Sequence, residues 1–350
     1  MPALVHNSWY GRFHLEMHWW HGAHFALWGR PELLEKSMPF YLRIMDKARA
    51  TAQRQGYEGA RWPKCLAHDG VQPPQTLEAT LVWQQPHPIY YAELLYRANP
   101  MRETLEKYRD LVFETAAFMA SFAAWEADRQ RYVLGPPIGA AQEVYPDYAG
   151  NVNPAFELAY WSFGLNVAQR WRERLRLPRY DRWDHVIAHL SPLPVANGLY
   201  VGMENHPEVW THYWHDHPTM LAPLGILPGG PMVDPETMRR TLHRVLDDWC
   251  WDKTWGWDRP MVAMAAARLG EPEVAVDALL GDVPTRRNRC LPNGLFLQSP
   301  ELVYMPTNGG LLTAIAMMAG GWDGAPNAAS PGFPRNGQWQ VRAEGLFPMP

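Results

Sequence analysis

The feature that most constrains this chain is a set of helical segments with no polar face. Six stretches, Glu16–Trp28, His87–Arg97, Asn153–Arg170, His217–Leu227, Trp257–Leu269 and Asn308–Met318, are apolar nearly all round. Each follows a loop rich in Pro, Gly, His or Trp. A helix without a polar face has to be buried on every side. Between these stretches lie charged, amphipathic ones. Pro100–Glu126 carries Leu105, Tyr108, Val112, Ala116 and Met119 on one stripe, and Pro235–Cys250 carries Met238, Leu242, Val245, Leu246 and Trp249. Pro31–Gln55 (broken near Pro39), Arg179–Leu190 and Glu271–Leu280 are less regular members of the same class.

Buried helices that alternate with amphipathic ones predict two concentric rings, the inner ring fully covered. That is an all-α (α/α)6 barrel, a six-hairpin toroid. A helical solenoid would repeat at a fixed period of ~33–47 residues, whereas these buried stretches begin at irregular intervals. The pattern supplies six inner helices and five outer ones. The missing outer partner would precede residue 16, where there is only a short lead. Either the ring closes without it or the chain is cut from a longer one, and the second is the favoured expectation. The barrel is assigned to residues 1–325 and a Pro/Gly-rich tail to 326–350, with Gln338–Gly345 alternating like one short strand.

Composition narrows the function classes. The net charge of −4 argues against a nucleic-acid partner, which needs a basic surface. No apolar run of ~18 residues predicts a membrane span, and Met1–His6 does not read as a signal peptide. The three cysteines, Cys65, Cys250 and Cys290, are too far apart for a disulfide framework or a CxxC metal site; so few fit a cytoplasmic protein without excluding export. Trp is unusually common, at 18 of 350 residues. Each Trp pairs a broad apolar face with one donor, which suits either a core or the half-polar surface of a sugar ring; the excess as a whole favours a carbohydrate site.

In a toroid, the loops that lead into the inner helices open on one face, where helix N-termini carry free N–H groups. Residues just before each inner helix therefore converge. The first such loop offers His14, Glu16, His18 and Trp20. Its HLEMH string is not the HExxH zinc pattern, because the Glu falls elsewhere on the helix, so no metal is assigned. The second offers Gln85 and His87, as sugar ligands or helix caps. The third offers Glu143 beside Tyr145; a carboxyl in an apolar, aromatic setting has a raised pKa and suits a general acid. The fourth offers His215, Asp216 and His217. The fifth offers Trp255, Trp257 and Asp258, the last equally an N-cap. The sixth offers Asn308 before two glycines. Two carboxylates suffice to hydrolyse a glycosidic bond, and Glu143 with Asp258, Asp216 or Glu16, in that order, would supply them. No phosphate loop, dinucleotide fingerprint or nucleophile elbow is present, and no cofactor is implied.

Three stretches resemble the six-hairpin glycosidases, most closely glycoside hydrolase family 95, the α-L-fucosidase and α-L-galactosidase type. HLEMHWW (His14–Trp20) is similar to that family's NxQMNYW, HDHPTMLAPLGILPG (His215–Gly229) to its HRHxSHLxGLYPG, and WGWDRPMVAMAAARLGEPEVAVDALL (Trp255–Leu280) to its TGWSxAWKxxxWARLGDGxxAxxLL. The order agrees over roughly residues 8–320. The family's acid, a Glu before the third inner helix, would correspond to Glu143. The departures are equally specific. Arg12 and His14 stand where the family has asparagines, and PTNGG stands for its DGNFG, so Asn308 has no acid beside it. The resemblance implies an inverting O-glycosidase in a divergent branch, with a carbohydrate as partner. The rival expectations are a sugar epimerase that uses a His pair on the same toroid, a glycoside phosphorylase, and a carbohydrate-binding protein without catalysis.

Overall fold

The computed structural model describes residues 12–74, 76–281, 289–299 and 302–350. The six inner helices are α1 (Leu15–Leu27), α6 (His87–Ala98), α8 (Ala155–Arg174), α10 (Ala222–Gly225), α12 (Asp258–Arg268) and α14 (Met305–Gly320). Each packs on the next in chain order, and α14 packs on α1, so the inner ring closes on itself. Around it lie α2 (Pro31–Glu35), α3 (Met38–Arg43), α4 (Met45–Arg54), α7 (Arg102–Phe122), α9 (Asp181–His189), α11 (Pro235–Asp248) and α13 (Pro272–Leu280). A short α5 (Thr76–Thr80) lies within the loop before α6. Among the described residues, no helix is long and apolar enough to cross a membrane.

The reason for two helix classes is visible in what each buries. α12 buries every residue from Met261 to Ala267, whereas α11 buries only Met238, Thr241, Leu242 and Val245. The start of α11 is fixed locally: the Asp234 side chain accepts from the Thr237 N–H at 2.7 Å, and Pro235 occupies the first turn. The ring closes at α14 because Gly309 has no side chain. A Cβ there would lie 1.6 Å from the Trp20 carbonyl oxygen of α1.

Two elements differ from the sequence reading. The stretch His217–Leu227 forms a 3-10 turn (Thr219–Leu221) and a single helical turn, not one buried helix. Pro218 and Pro223 interrupt it, Pro228 follows its end, and Gly225 presses on the Met261 carbonyl, where a Cβ would stand 2.6 Å away. Gln338–Gly345 is extended loop without a strand. Its alternating residues find no partner strand, and Trp339 stays exposed. The last residues instead return to the barrel: the Phe347 N–H donates to Leu27 O at 2.9 Å and the Met349 N–H to Gly321 O at 3.0 Å. Met349 is fully buried.

Among the described residues, ten of the chain's 18 tryptophans are buried, so the excess serves the core more than a sugar surface. Trp19, Trp20, Trp62, Trp83, Trp161, Trp171 and Trp257 are fully buried. Each such ring removes roughly 4–6 kcal/mol worth of apolar surface from water before entropy is counted.

Candidate active site

The starts of the inner helices open onto a cavity of about 510 Å³. Glu16, Lys64, Glu143, Asp216, His217 and Trp255 line it and carry its chemistry.

One wall is built from the first loop. Phe13–His14 pairs antiparallel with Cys65–Leu66, and the Glu16 N–H donates to Lys64 O at 3.2 Å. This small ladder brings Lys64 against the first turn of α1. Glu16 sits in that turn, where the helix dipole favours an anion. Its Oε1 accepts from Trp83 Nε1 at 3.0 Å, and its Oε2 meets His14 Nε2 at 2.9 Å and Lys64 Nζ at 3.3 Å. Burial alone would raise the Glu16 pKa. The Lys64 charge and the bonds from His14 and Trp83 outweigh burial and hold Glu16 ionised, well below the usual carboxylate range. Lys64 is likewise pushed down by burial, but the charges of Glu16 and Glu143 win, and it stays protonated. Burial lowers His14, against the pull of Glu16, so the ring is neutral at pH 7 and donates through Nε2.

Glu143 lies in the loop before α8 and pairs with Lys64 from the other side. Burial raises its pKa, as do the charges of Glu16 and, more weakly, Asp216, while Lys64 pulls the other way. The result is a carboxyl pushed up to about 7. Its side chain keeps 29% exposure to the cavity. Next to it, Gln142 Nε2 donates to Tyr213 O at 2.5 Å and His215 O at 3.0 Å, stitching the third loop to the fourth.

The opposite wall comes from the fourth and fifth loops. Asp216 has a left-handed backbone, φ +62°. Its Oδ1 accepts from Trp255 Nε1 at 2.6 Å and its Oδ2 from the Glu143 N–H at 3.0 Å. His217 lies flat on Trp257, ring centroids 3.7 Å apart. Its Nδ1 donates to Asp258 Oδ1 at 2.6 Å, and its Nε2 lies 3.8 Å from Asp216 Oδ1. Burial would lower the His217 pKa, but the charges of Asp216 and Asp258 raise it to about 9. Burial pushes Asp258 up to about 6 against the pull of His217. The two are an ion pair at neutral pH.

The sequence-predicted residues therefore divide. His14, Glu16, Glu143, His215, Asp216, His217 and Trp255 come together on the cavity. Asp258 is fully buried behind His217, its Oδ2 accepting from the Trp255 N–H at 2.8 Å. Trp257 and Trp20 form the stack beneath, 4.9 Å between centroids. His87 supports the wall through Nε2 on Glu16 O, at 3.1 Å, and Nδ1 on the Tyr160 hydroxyl. Tyr145 is buried and donates to Gln142 Oε1 at 2.8 Å. Gln85 is spent on backbone, Nε2 to Ala60 O at 2.7 Å and Oε1 from the Trp62 N–H at 2.9 Å. His18 turns away to Tyr41 and Ser37, at 2.8 and 2.9 Å. Asn308 binds Gly294 O at 2.7 Å and lies outside the lining. Its side chain is fastened to the turn before Phe296–Ser299, which the glycine pair alone did not foretell.

Sequence reasoning missed Lys64, Trp83 and Tyr304. Tyr304 lines the cavity immediately before α14, so the helix-start rule could have found it. Trp83 stands two residues ahead of Gln85, in the loop before α6. Lys64 carries no local signal. Among the described residues, no group of three or more His, Cys, Asp or Glu is arranged to hold a metal.

No protein-family model matches the sequence, and no curated protein matches it. Solved structures do match. A glycosidase variant in complex with glucose superimposes with a TM-score of 0.63, covering 89% of this chain and 90% of its own, at 14% identity. The wild-type glycosidase gives 0.60 over 87% of each chain at 13% identity. A protein described as a kojibiose phosphorylase from the human microbiome gives 0.61 over 87% of this chain at 10% identity, and this chain spans about half of it, 49%. At such identities the likeness is one of fold, and the fold of this chain is the six-hairpin toroid of those glycosidases.

Proposed function

We propose that the protein is a glycoside hydrolase in which Glu143 is the general acid and Asp216 activates the attacking water. One observation carries the reading. Two carboxyl groups share the Lys64 ammonium in a sugar-sized cavity, yet Glu143 is pushed up to about 7 while Glu16 is held ionised. Environments that separate two carboxyl groups in this way mark a proton donor. Glu143 also has the exposure to reach a leaving oxygen, which Glu16 lacks.

The choice of base departs from the sequence ranking. Asp258, ranked first, is sealed from the cavity with both oxygens bonded. Glu16 already accepts from three donors and is too stabilised as an anion to be an effective base. Asp216 lines the cavity, and its Oδ2 accepts from the Glu143 N–H. The resemblance to family 95 implies inversion at the anomeric carbon. The glucose bound by one structural neighbour, and the description of another as a kojibiose phosphorylase, support a glycosidic substrate.

The test is turnover of an oligosaccharide panel, with and without inorganic phosphate, by wild type and Glu143→Gln, read by NMR for released sugars and their anomeric form. Free sugar of inverted configuration from wild type, lost in Glu143→Gln, is expected. A sugar 1-phosphate formed only with phosphate would make the enzyme a phosphorylase. Altered ring stereochemistry without new reducing ends would make it an epimerase. Undiminished turnover by Glu143→Gln would remove the acid assignment.

A further inference from the structure

We infer that Asp258 and His217 are a positioning pair for Asp216: the buried carboxylate anchors two arms that meet at Asp216 Oδ1 and leave Oδ2 as the working oxygen. The inference rests on the reading of Asp216 as the water-activating carboxylate.

The geometry begins at Asp258, which has no access to the cavity. Its Oδ1 holds His217 Nδ1 at 2.6 Å, and its Oδ2 holds the Trp255 backbone N–H at 2.8 Å. Both held residues then reach the same atom. Trp255 Nε1 donates to Asp216 Oδ1 at 2.6 Å, and His217 Nε2 lies 3.8 Å from that oxygen. The imidazole is clamped as well as charged. It stacks on Trp257 at 3.7 Å and 22°, and Trp257 stacks on Trp20 at 4.9 Å and 26°. A cation on an indole face is an attractive arrangement.

Asp216 itself needs such support. Its left-handed backbone is a sparsely populated conformation that persists only when the surroundings enforce it. The Asp216 N–H donates to Lys253 O at 3.2 Å, and its carbonyl accepts from Trp249 Nε1 at 2.9 Å. With the main chain tied on both sides, and Oδ1 hydrogen-bonded by Trp255 and faced by the His217 imidazole at 3.8 Å, the side chain is fixed in direction. Oδ2 meets the Glu143 N–H at 3.0 Å and retains lone-pair capacity for a water proton. The other charged or titratable groups around this pair are Glu143, Glu16, Lys64, His14, His215, Lys253 and Tyr304. Asp258 and His217 are thus positioning residues, because they act through Asp216.

Two readouts on the intact chain test this, one independent of any substrate. The Trp255 indole N–H proton, bonded to Asp216 Oδ1, should move clearly in Asp258→Asn and in His217→Gln, in the same direction as in Asp216→Asn. With a substrate in hand, Asp258→Asn should lower kcat by about 10²-fold, as misplacement of a reacting group does, while KM stays within about threefold. A merely structural aspartate would lower stability and leave the kcat to KM split and the indole signal unchanged in the folded fraction. Should Asp258→Asn fail to fold, His217→Gln decides by the same signals. An unmoved indole proton in a folded variant overturns the inference even if the enzyme hydrolyses glycans. A moved indole proton in a protein that hydrolyses nothing keeps the pairing and removes the proposed function instead.

Discussion

The two walls of the cavity solve one problem in two ways. Each buries a carboxylate at the start of an inner helix, which is costly unless the charge is paired. At the first wall Glu16 receives a lysine, an indole and a neutral histidine. At the second wall Asp258 receives a histidine and one backbone N–H. A lysine ammonium beside two carboxylates stays charged at any working pH, so the first wall is a permanent fixture. A histidine, even one raised to about 9, can be discharged, so the second wall has a pH limit. Glu143 spans both, its side chain on Lys64 and its N–H on Asp216. On the proposed reading, the permanent wall tunes Glu143 as the acid, and the titratable wall aims Asp216 as the base.

The largest effects should come from the groups between the walls. Glu143→Gln should lower kcat by about 10²–10⁴-fold, the usual worth of a general acid, with little change in thermal stability. In wild type, activity should fall as pH rises through about 7, because the acid must be protonated. Lys64→Met sharpens the contrast. The ammonium favours the ionised form of Glu143, so its removal should move that alkaline limb to higher pH. It also leaves Glu16 buried without its cation, which should cost about 3–5 kcal/mol in urea unfolding. If the limb stays in place, Lys64 does not tune the acid.

A smaller, slower effect distinguishes the walls by stability alone. The folded His217 value of about 9 lies above its ordinary 6.5. Its contribution is therefore complete below 6.5 and is lost as pH rises through about 9. Over the same range the first wall has nothing to titrate, since Glu16 is ionised far below it and Lys64 protonated above it. Glu143, raised to about 7, reduces stability between its ordinary 4.5 and 7 and then no further. Between pH 7 and 9 the folded protein should lose stability in wild type and much less in His217→Gln. Equal slopes would mean that the Asp258–His217 pair does not hold the charge assigned to it.

The same contrast explains how much was legible in the sequence. The toroid was, because burial on all sides leaves a pattern in every inner helix; Met261–Ala267 has no polar position to expose. The broken helix after His217 was not legible, because the apolar content of the stretch outweighs Pro218 and Pro223. At the site, the helix-start rule located Glu16, Glu143, Asp216 and His217, since these stand where chain direction alone sends them. Lys64 was invisible. It reaches the cavity by pairing of Phe13–His14 with Cys65–Leu66, a contact across some fifty residues that no local pattern encodes. Gln85 and His18 failed for the complementary reason: their chemistry suits a sugar, but backbone and hydroxyl partners claim it first.

Asn308 gives the smallest test and the one that separates likeness of motif from likeness of place. The PTNGG stretch stands where the resembling family has an acid-bearing loop, and position alone would give Asn308 a ligand role. In the fold it sits inside α14, its Nδ2 on Gly294 O at 2.7 Å and its Oδ1 accepting from the Phe296 N–H at 3.4 Å. Those bonds fasten the turn to the helix and spend the amide. Asn308→Ala should therefore cost about 0.5–1.5 kcal/mol of stability and change kcat by less than about twofold, against the hundredfold or greater loss for Glu143→Gln. A large fall in kcat with stability intact would return Asn308 to the cavity and place a third wall, built from α14, beside the two described.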